Sequence, residues 1–396
     1  MKAEKEIQRI CFIVNYNLYE SKRHFALKFS EALERKGVET KIIDVEEGAL
    51  ESDTVASILR FKPDITCSFN TINPISEKQF LWDYIQTPHW FIVVDPMIYY
   101  TNMIHSPYII ISCVDRFDCE TLRNYPFENT FFFPHAIERE LSGCGDKEKS
   151  YDVVFLGSCY DYESLRISWR LKNTEPINKV LDDAIDIVLS DKSTSISQAL
   201  VTAWNVSKLS PEGIDFYALF FYVDQYSRGK DRVELIRSIK DAKVHVFGDL
   251  APGLDAVLGW KPYLSSSKNV TVHPSVNFTQ SLEILKKSKI ALNSMPFFKN
   301  GSHERVFAAL GSGALPITMD NLFWSEFFVP GKELETYCAG RWDGVNEKVN
   351  TYLSNESLRK EVVGAGAEKV LQEHTWDNRA DFALRELPSI LKNIKK

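Results

Sequence analysis

Short, wholly apolar runs alternate with stretches of helical period along the first third of the chain. Ile10 to Asn15 (ICFIVN) reads as a buried strand. Phe25, Leu27, Phe29, Ala32 and Leu33 follow at near-helical spacing, and Gly37 supplies a stop. Further strands are predicted over Val38 to Val45, Asp64 to Phe69, Trp90 to Val94, Tyr108 to Val114 and Thr130 to Phe133. These runs lack the polar alternation of a half-solvated sheet. Strands of that kind, separated by helices, predict a parallel sheet covered on both faces over residues 1–140.

The segment Arg139 to Ser150 (RELSGCGDKEKS) is small, polar and charged, as a linker is. Immediately after it Tyr151 to Leu156 starts a new strand that ends in Gly157 and Ser158. From about 160 to 240 the pattern is helical, with an apolar stripe at Ile177, Val180, Leu181, Ala184, Ile185, Val188 and Leu189. Strands resume at Lys243 to Phe247, Val270 to His273, Lys289 to Asn293 and Leu315 to Thr318, with helices between them at Ser281 to Lys287 and Glu304 to Leu310. The expectation is an α/β chain of two Rossmann-like domains. One spans 1–140; the other spans 151–375 and carries a helical insertion at about 160–240. Residues 376–396 form a final helix.

Composition narrows the function classes. The 396 residues carry a net charge of −7, which gives no support to nucleic-acid binding. The seven cysteines are odd in number and contain no CxxC, so neither a zinc site nor a disulfide framework is expected. The charged start MKAEKEIQRI lacks the apolar core of a signal peptide, and no run reaches the length of a membrane span. A cytoplasmic protein is expected, with peripheral membrane contact and the oligomeric state left open.

In open parallel sheets ligands bind beyond the carboxyl ends of the strands, so the residues after each strand carry the candidate chemistry. The most informative stretch is 295–320, MPFFKNGSHERVFAALGSGALPITMD. There Asn300, Gly301 and Ser302 lead into a helix starting near His303 and Glu304. A small polar loop opening a helix presents unpaired N–H groups and the positive end of the dipole, which suits a phosphate. Arg305, one turn in, adds a bidentate cation. The competing reading makes Ser302 a helix cap and Arg305 a surface ion pair. Gly157, Ser158 and Gly248 end strands and allow close approach of a ligand, or are plain turns.

From Tyr151 onward the chain resembles the group 1 (GT4-like) glycosyltransferases, in particular the branch with the CgeB-type spore proteins. The matching pieces are DVVFLGS at 152–158, HVFGD at 245–249, NVTVHPSV at 269–276 and SKIALN at 288–293, followed by HERVFAALGSGALPIT at 303–318, FFVPGKE at 327–333 and EHTWDNRA at 373–380. They fall in the family's order. HWFIVVDP at 89–96 and FFPHAIE at 132–138 are similar to pieces of the preceding domain.

The resemblance implies a GT-B fold: two Rossmann-like domains facing across a cleft, donor mainly on the second, acceptor mainly on the first, and a last helix crossing back. It implies transfer from a nucleotide-diphosphate sugar to a hydroxyl of a glycan, a lipid-linked glycan or a protein. No cofactor is implied beyond the donor itself, and no metal. It places Gly157, Ser158, Gly248, His273 and Asn300 to Arg305 around the donor. Asp95, or failing that His24, would be the base if the reaction inverts. One departure stands out: where related enzymes carry two Glu eight residues apart, this chain has Asn300 and Ala308, with Glu304 at a different spacing. That departure keeps a non-catalytic sugar-nucleotide-binding or scaffold role as a rival, beside a sugar-nucleotide epimerase.

Overall fold

The computed structural model describes residues 6–15, 19–45, 52–71, 74–76, 79–125, 127–141, 148–249 and 259–394. Residues 142–147, inside the linker expected at 139–150, lie outside them. The chain divides into two compact units. The first comprises 1–140, 277–279 and 370–396; the second comprises 141–276 and 280–369.

The first unit starts with β1 (Arg9–Asn15), α1 (Ser21–Glu34), β2 (Glu39–Val45), α2 (Ser52–Phe61) and β3 (Ile65–Phe69). A small hairpin, β4 (Pro74–Ser76) and β5 (Gln79–Phe80), precedes α3 (Leu81–Ile85) and β6 (His89–Val93). A 3-10 helix at Met97–His105 leads to β7 (Ile109–Cys113), α4 (Arg116–Asn124) and β8 (Thr130–Phe132). Six strands pair in the order β2-β1-β3-β6-β7-β8, all parallel. Every residue of β3, β6 and β7 is buried, which is why their sequences show no alternation. One face packs on Phe25, Phe29 and Trp376, the other on Trp82, Met103 and Leu122. Trp90 is fully buried in this core, where its indole N–H donates to Ser112 Oγ at 2.8 Å.

The second unit runs through β9 (Tyr151–Leu156) and four helices, α5 (Tyr162–Lys172), α6 (Glu175–Ser190), α7 (Ile196–Ser207) and α8 (Phe216–Ser238). It continues with β10 (Val244–Asp249), α9 (Lys261–Leu264), β11 (Val270–Pro274), α10 (Phe278–Lys286), β12 (Ser288–Asn293) and α11 (Glu304–Gly311). It closes with β13 (Leu315–Met319), α12 (Leu322–Phe327), β14 (Glu335–Tyr337), α13 (Val345–Ser354) and α14 (Glu356–Glu373); α15 (Trp376–Ile394) belongs to the first unit. The sheet is again parallel and six-stranded, in the order β11-β10-β9-β12-β13-β14. The two short elements absent from the sequence reading, β14 and the β4–β5 hairpin, have three residues or fewer per strand, too few to show a period.

Strand order fixes where each sheet can bind. In the second unit consecutive strands run outward from β9 in one direction and then, from β12, in the other. The chain therefore reverses between β9 and β12, leaving a crevice at their carboxyl ends. In the first unit the same reversal falls between β1 and β3. Among the described residues no helix is long and apolar enough to cross a membrane.

Candidate donor site

The crevice of the second unit is built from backbone first. Gly157, just past β9, donates its N–H to Phe247 O at 2.9 Å, and its own carbonyl accepts the indole N–H of Trp260 at 3.0 Å. Gly248 lies so close that a Cβ there would sit 2.0 Å from Gly157 O. Glycine at 248 is thus what lets the ends of β9 and β10 meet. A Cβ on Gly157 would touch two guanidiniums, Arg305 Nη1 at 3.4 Å and Arg232 Nη1 at 3.6 Å.

Those guanidiniums come from different elements. Arg232 projects from α8, is 3% exposed, and donates from Nη1 to Ser158 O at 2.7 Å. Its plane lies over the Tyr160 ring at 4.7 Å. Burial pushes the Arg232 guanidinium down to about 10; the Arg305 and Arg228 charges act in the same direction, against the pull of Tyr160. Arg305 stands on the first turn of α11. The Arg232 Nε and the Arg305 Nη1 are both buried without a hydrogen-bond acceptor. Among the described residues, the one carboxylate paired with either is Glu304, whose Oε1 lies 3.7 Å from Arg305 Nε. Flanking the same position over Gly157, the two Nη1 atoms are within about 7 Å of each other. At an effective dielectric near 20 that proximity costs about 2 kcal/mol of repulsion. An anion seated between them removes that cost and satisfies the orphaned N–H groups.

The loop from β12 into α11 is held rigidly. Asn321, fully buried, donates from Nδ2 to Phe298 O at 3.1 Å and Gly301 O at 3.0 Å. Lys299, also fully buried, sends its ammonium to Val188 O and Asp191 O at 2.7 and 2.8 Å, tying the loop to the end of α6. Ser302 is fully buried, so it is part of this frame, and His303 rather than Ser302 occupies the N-cap of α11. His303 Nδ1 lies 2.8 Å from Glu304 Oε2 and 3.3 Å from the Arg305 backbone N. It cannot donate to one and accept from the other at once. The tautomer decides between them: a proton on Nδ1 serves Glu304, and a bare Nδ1 caps the Arg305 N–H at the helix start. Burial holds the His303 imidazole below its usual range; the Arg305 and Arg232 charges add to this, and Glu304 opposes it.

The sequence-derived candidates thus separate into groups. Gly157, Ser158, Gly248, Arg305 and the 300–304 loop belong to the ends of β9, β10 and β12. His273 lies in β11, with its Nε2 2.9 Å from His245 Nδ1 and its ring stacked on Phe247 at 4.4 Å. Ala308, at the position of the departure, is buried within α11. Asp95 and His24 belong to the first unit. Asp95 follows β6 and accepts from Asn70 Nδ2 at 2.7 Å, while Asn70 Oδ1 accepts the Val94 N–H at 2.9 Å. Burial lowers the nearby Lys22 ammonium, and the Asp95 charge opposes that shift. His24 Nε2 contacts Glu138 at 3.3 Å, and its ring leans on Phe278 at 4.7 Å.

Sequence reasoning missed Arg232. The signal was present: Asp224, Arg228, Asp231 and Arg232 recur at helical spacing on α8, and all four are buried. Such a stripe of charges occupies positions where a packed helix normally carries apolar residues.

Residues 230–385 match the model of a family described as glycosyl transferase-like. No curated protein sequence matches the chain. Among solved structures, sucrose-phosphate synthase from Thermosynechococcus elongatus is similar over 96% of this chain and 99% of its own, at 9% identity and a TM-score of 0.57. HepE of Anabaena, solved in complex with UDP and glucose, is similar over 96% and 100%, at 8% identity and a TM-score of 0.56. A glycosyltransferase from Rickettsia africae is similar over 98% and 99%, at 10% identity and a TM-score of 0.54. The chain has the GT-B fold of these structures, and its residues 230–385 match the model of a glycosyl transferase-like family.

Proposed function

We propose that the protein is a glycosyltransferase that takes a sugar from a nucleoside-diphosphate sugar and passes it to a hydroxyl of a glycan, a lipid-linked glycan or a protein. The observation that carries this reading is the meeting of Arg232 and Arg305 over Gly157, with buried N–H groups lacking acceptors, at the reversal point of the second sheet. As the bond from sugar to diphosphate breaks, negative charge grows on the leaving phosphate. Two fixed guanidiniums and the start of α11 stabilise that charge without reorganising. In this reading they carry the role of charge neutralisation, and the diphosphate is bound without a metal. On the first unit, Asp95 is the group we assign to accept the acceptor's proton if the configuration inverts, held in place by Asn70. His24, engaged with Glu138, is the second choice.

The test is a thermal-shift and titration series with UDP and UDP-glucose in the presence of EDTA. UDP is the first probe because HepE was solved with it. A nucleotide at about a hundred times its Kd should stabilise the protein by roughly 2.7 kcal/mol. Arg305→Ala and Arg232→Met should each weaken UDP by about 10- to 100-fold, the loss of one charged hydrogen-bonding group. A folded protein that binds no nucleoside diphosphate, or that binds one only with a divalent cation, would overturn this proposal.

A further inference from the structure

Helix α8 carries four buried charges, and three are accounted for. Asp224 and Arg228 pair with each other at 2.6 Å, and Arg232 reaches the donor site. Asp231 remains. It is fully buried, and no cation is hydrogen-bonded to it among the described residues; the Lys299 ammonium, whose charge acts on it, is itself bonded to two carbonyls. Its carboxylate instead collects three donors. Oδ2 accepts from Ser294 Oγ at 2.5 Å and Tyr337 OH at 2.6 Å, and Oδ1 accepts from Trp342 Nε1 at 2.7 Å.

The three donors stand on three separate pieces of the second unit. Ser294 is the first residue after β12 and opens the loop to α11; Tyr337 ends β14; Trp342 lies in the segment before α13. The carboxylate that gathers them is the direct chain neighbour of Arg232. A buried carboxylate costs desolvation that a well-packed apolar side chain would avoid, so stability alone does not explain it. What a fully satisfied buried carboxylate offers is a fixed geometry.

We infer that Asp231 is a positioning residue for the donor site: it sets α8 against the loop leading into α11, so that Arg232 and Arg305 stand at the spacing a diphosphate requires. This rests on the phosphate-binding reading given above. Arg232 reaches the site from the helix and Arg305 from the far end of the loop. From α8, Asp231 accepts a hydrogen bond from Ser294 at the start of that loop, and Arg228 lies over the Phe297 ring further along it at 3.6 Å. A lost bond at Ser294 or Tyr337 would let the two guanidiniums drift apart without removing either.

The test is a double-mutant cycle read by UDP titration of the full chain. Asp231→Asn keeps the size but swaps an acceptor for a donor. It is expected to weaken UDP at least tenfold in the otherwise native protein. In the Arg232→Met background the same change is expected to cost less than threefold, because the group it positions is gone. Tyr337→Phe and Ser294→Ala each remove one bond and should give smaller losses with the same dependence on Arg232; they keep the test open if Asp231→Asn does not fold. An equal loss in both backgrounds, or native UDP affinity in Asp231→Asn, would overturn the inference. If Arg232→Met itself leaves UDP affinity unchanged, the phosphate assignment fails, which is a separate result.

Discussion

At the residue scale the candidate donor site is marked by two buried guanidinium N–H groups, Arg232 Nε and Arg305 Nη1, without a hydrogen-bond acceptor. Arg305 was readable from the sequence because it stands one turn into a helix that opens from a small polar loop. Arg232 and Asp231 leave a fainter mark, the recurrence of Asp224, Arg228, Asp231 and Arg232 at helical spacing, which becomes telling only once that face of α8 is known to be buried. His303 gives a prediction in pH. Its folded-state value lies below that of the unfolded chain, near 6.5. Above that pH both states are neutral and stability is full. As pH falls below it the unfolded chain binds a proton that the folded one resists, so stability declines. The melting temperature should therefore drop more steeply between pH 7 and pH 5 in the native protein than in His303→Gln. The difference amounts to about 1.4 kcal/mol per unit of separation between the two values. Equal slopes would show that His303 does not titrate differently on folding.

At the element scale most strands were legible within a residue or two, because buried parallel strands are written as uninterrupted apolar runs. Their spatial order was not written anywhere in the pattern, and it is the order that creates the crevice between β9 and β12. The close approach of β9 and β10 depends on glycine. Gly248→Ala would drive a methyl into Gly157 O, a backbone atom that cannot swing aside. Chemical denaturation should show a loss of about 2 kcal/mol or more, with weaker UDP binding because Gly157 and Ser158 move. Gly364, inside α14 with nothing within 4 Å of its would-be Cβ, makes the contrast. Gly364→Ala should stabilise the protein by about 0.5–1 kcal/mol and leave UDP binding alone. Two glycines with the same effect would refute the steric argument for 248.

At the scale of the whole molecule, the last helix completes the first unit. Trp376 lies against Phe25, Phe29 and Phe69 with ring centres 5.6–5.8 Å apart, and Ala380, Ala383 and Leu387 are buried beneath it. Arg379 is buried without a carboxylate, donating to the carbonyls of Pro134 and His135 at 2.7 and 3.0 Å, and burial pushes it down to about 9. A chain ending at residue 375 should thus lose amide protection throughout β1, β3 and α1, while the sheet around β9 and β12 keeps its protection and still binds UDP. Hydrogen exchange read by mass spectrometry checks this; even protection across both units after truncation would contradict the division.

The return of α15 also has a consequence for how the molecule is made. A ribosome releases the first 140 residues long before the helix that caps their core exists. During that interval the apolar ring of Phe25, Phe29 and Phe69 has no Trp376 to cover it, whereas the second sheet has its last strand, β14, once Tyr337 is made. The unit encoded first is therefore completed only once α15 has been made, after the last strand of the second sheet. Until then it is the part of the nascent chain most dependent on chaperones and most exposed to aggregation.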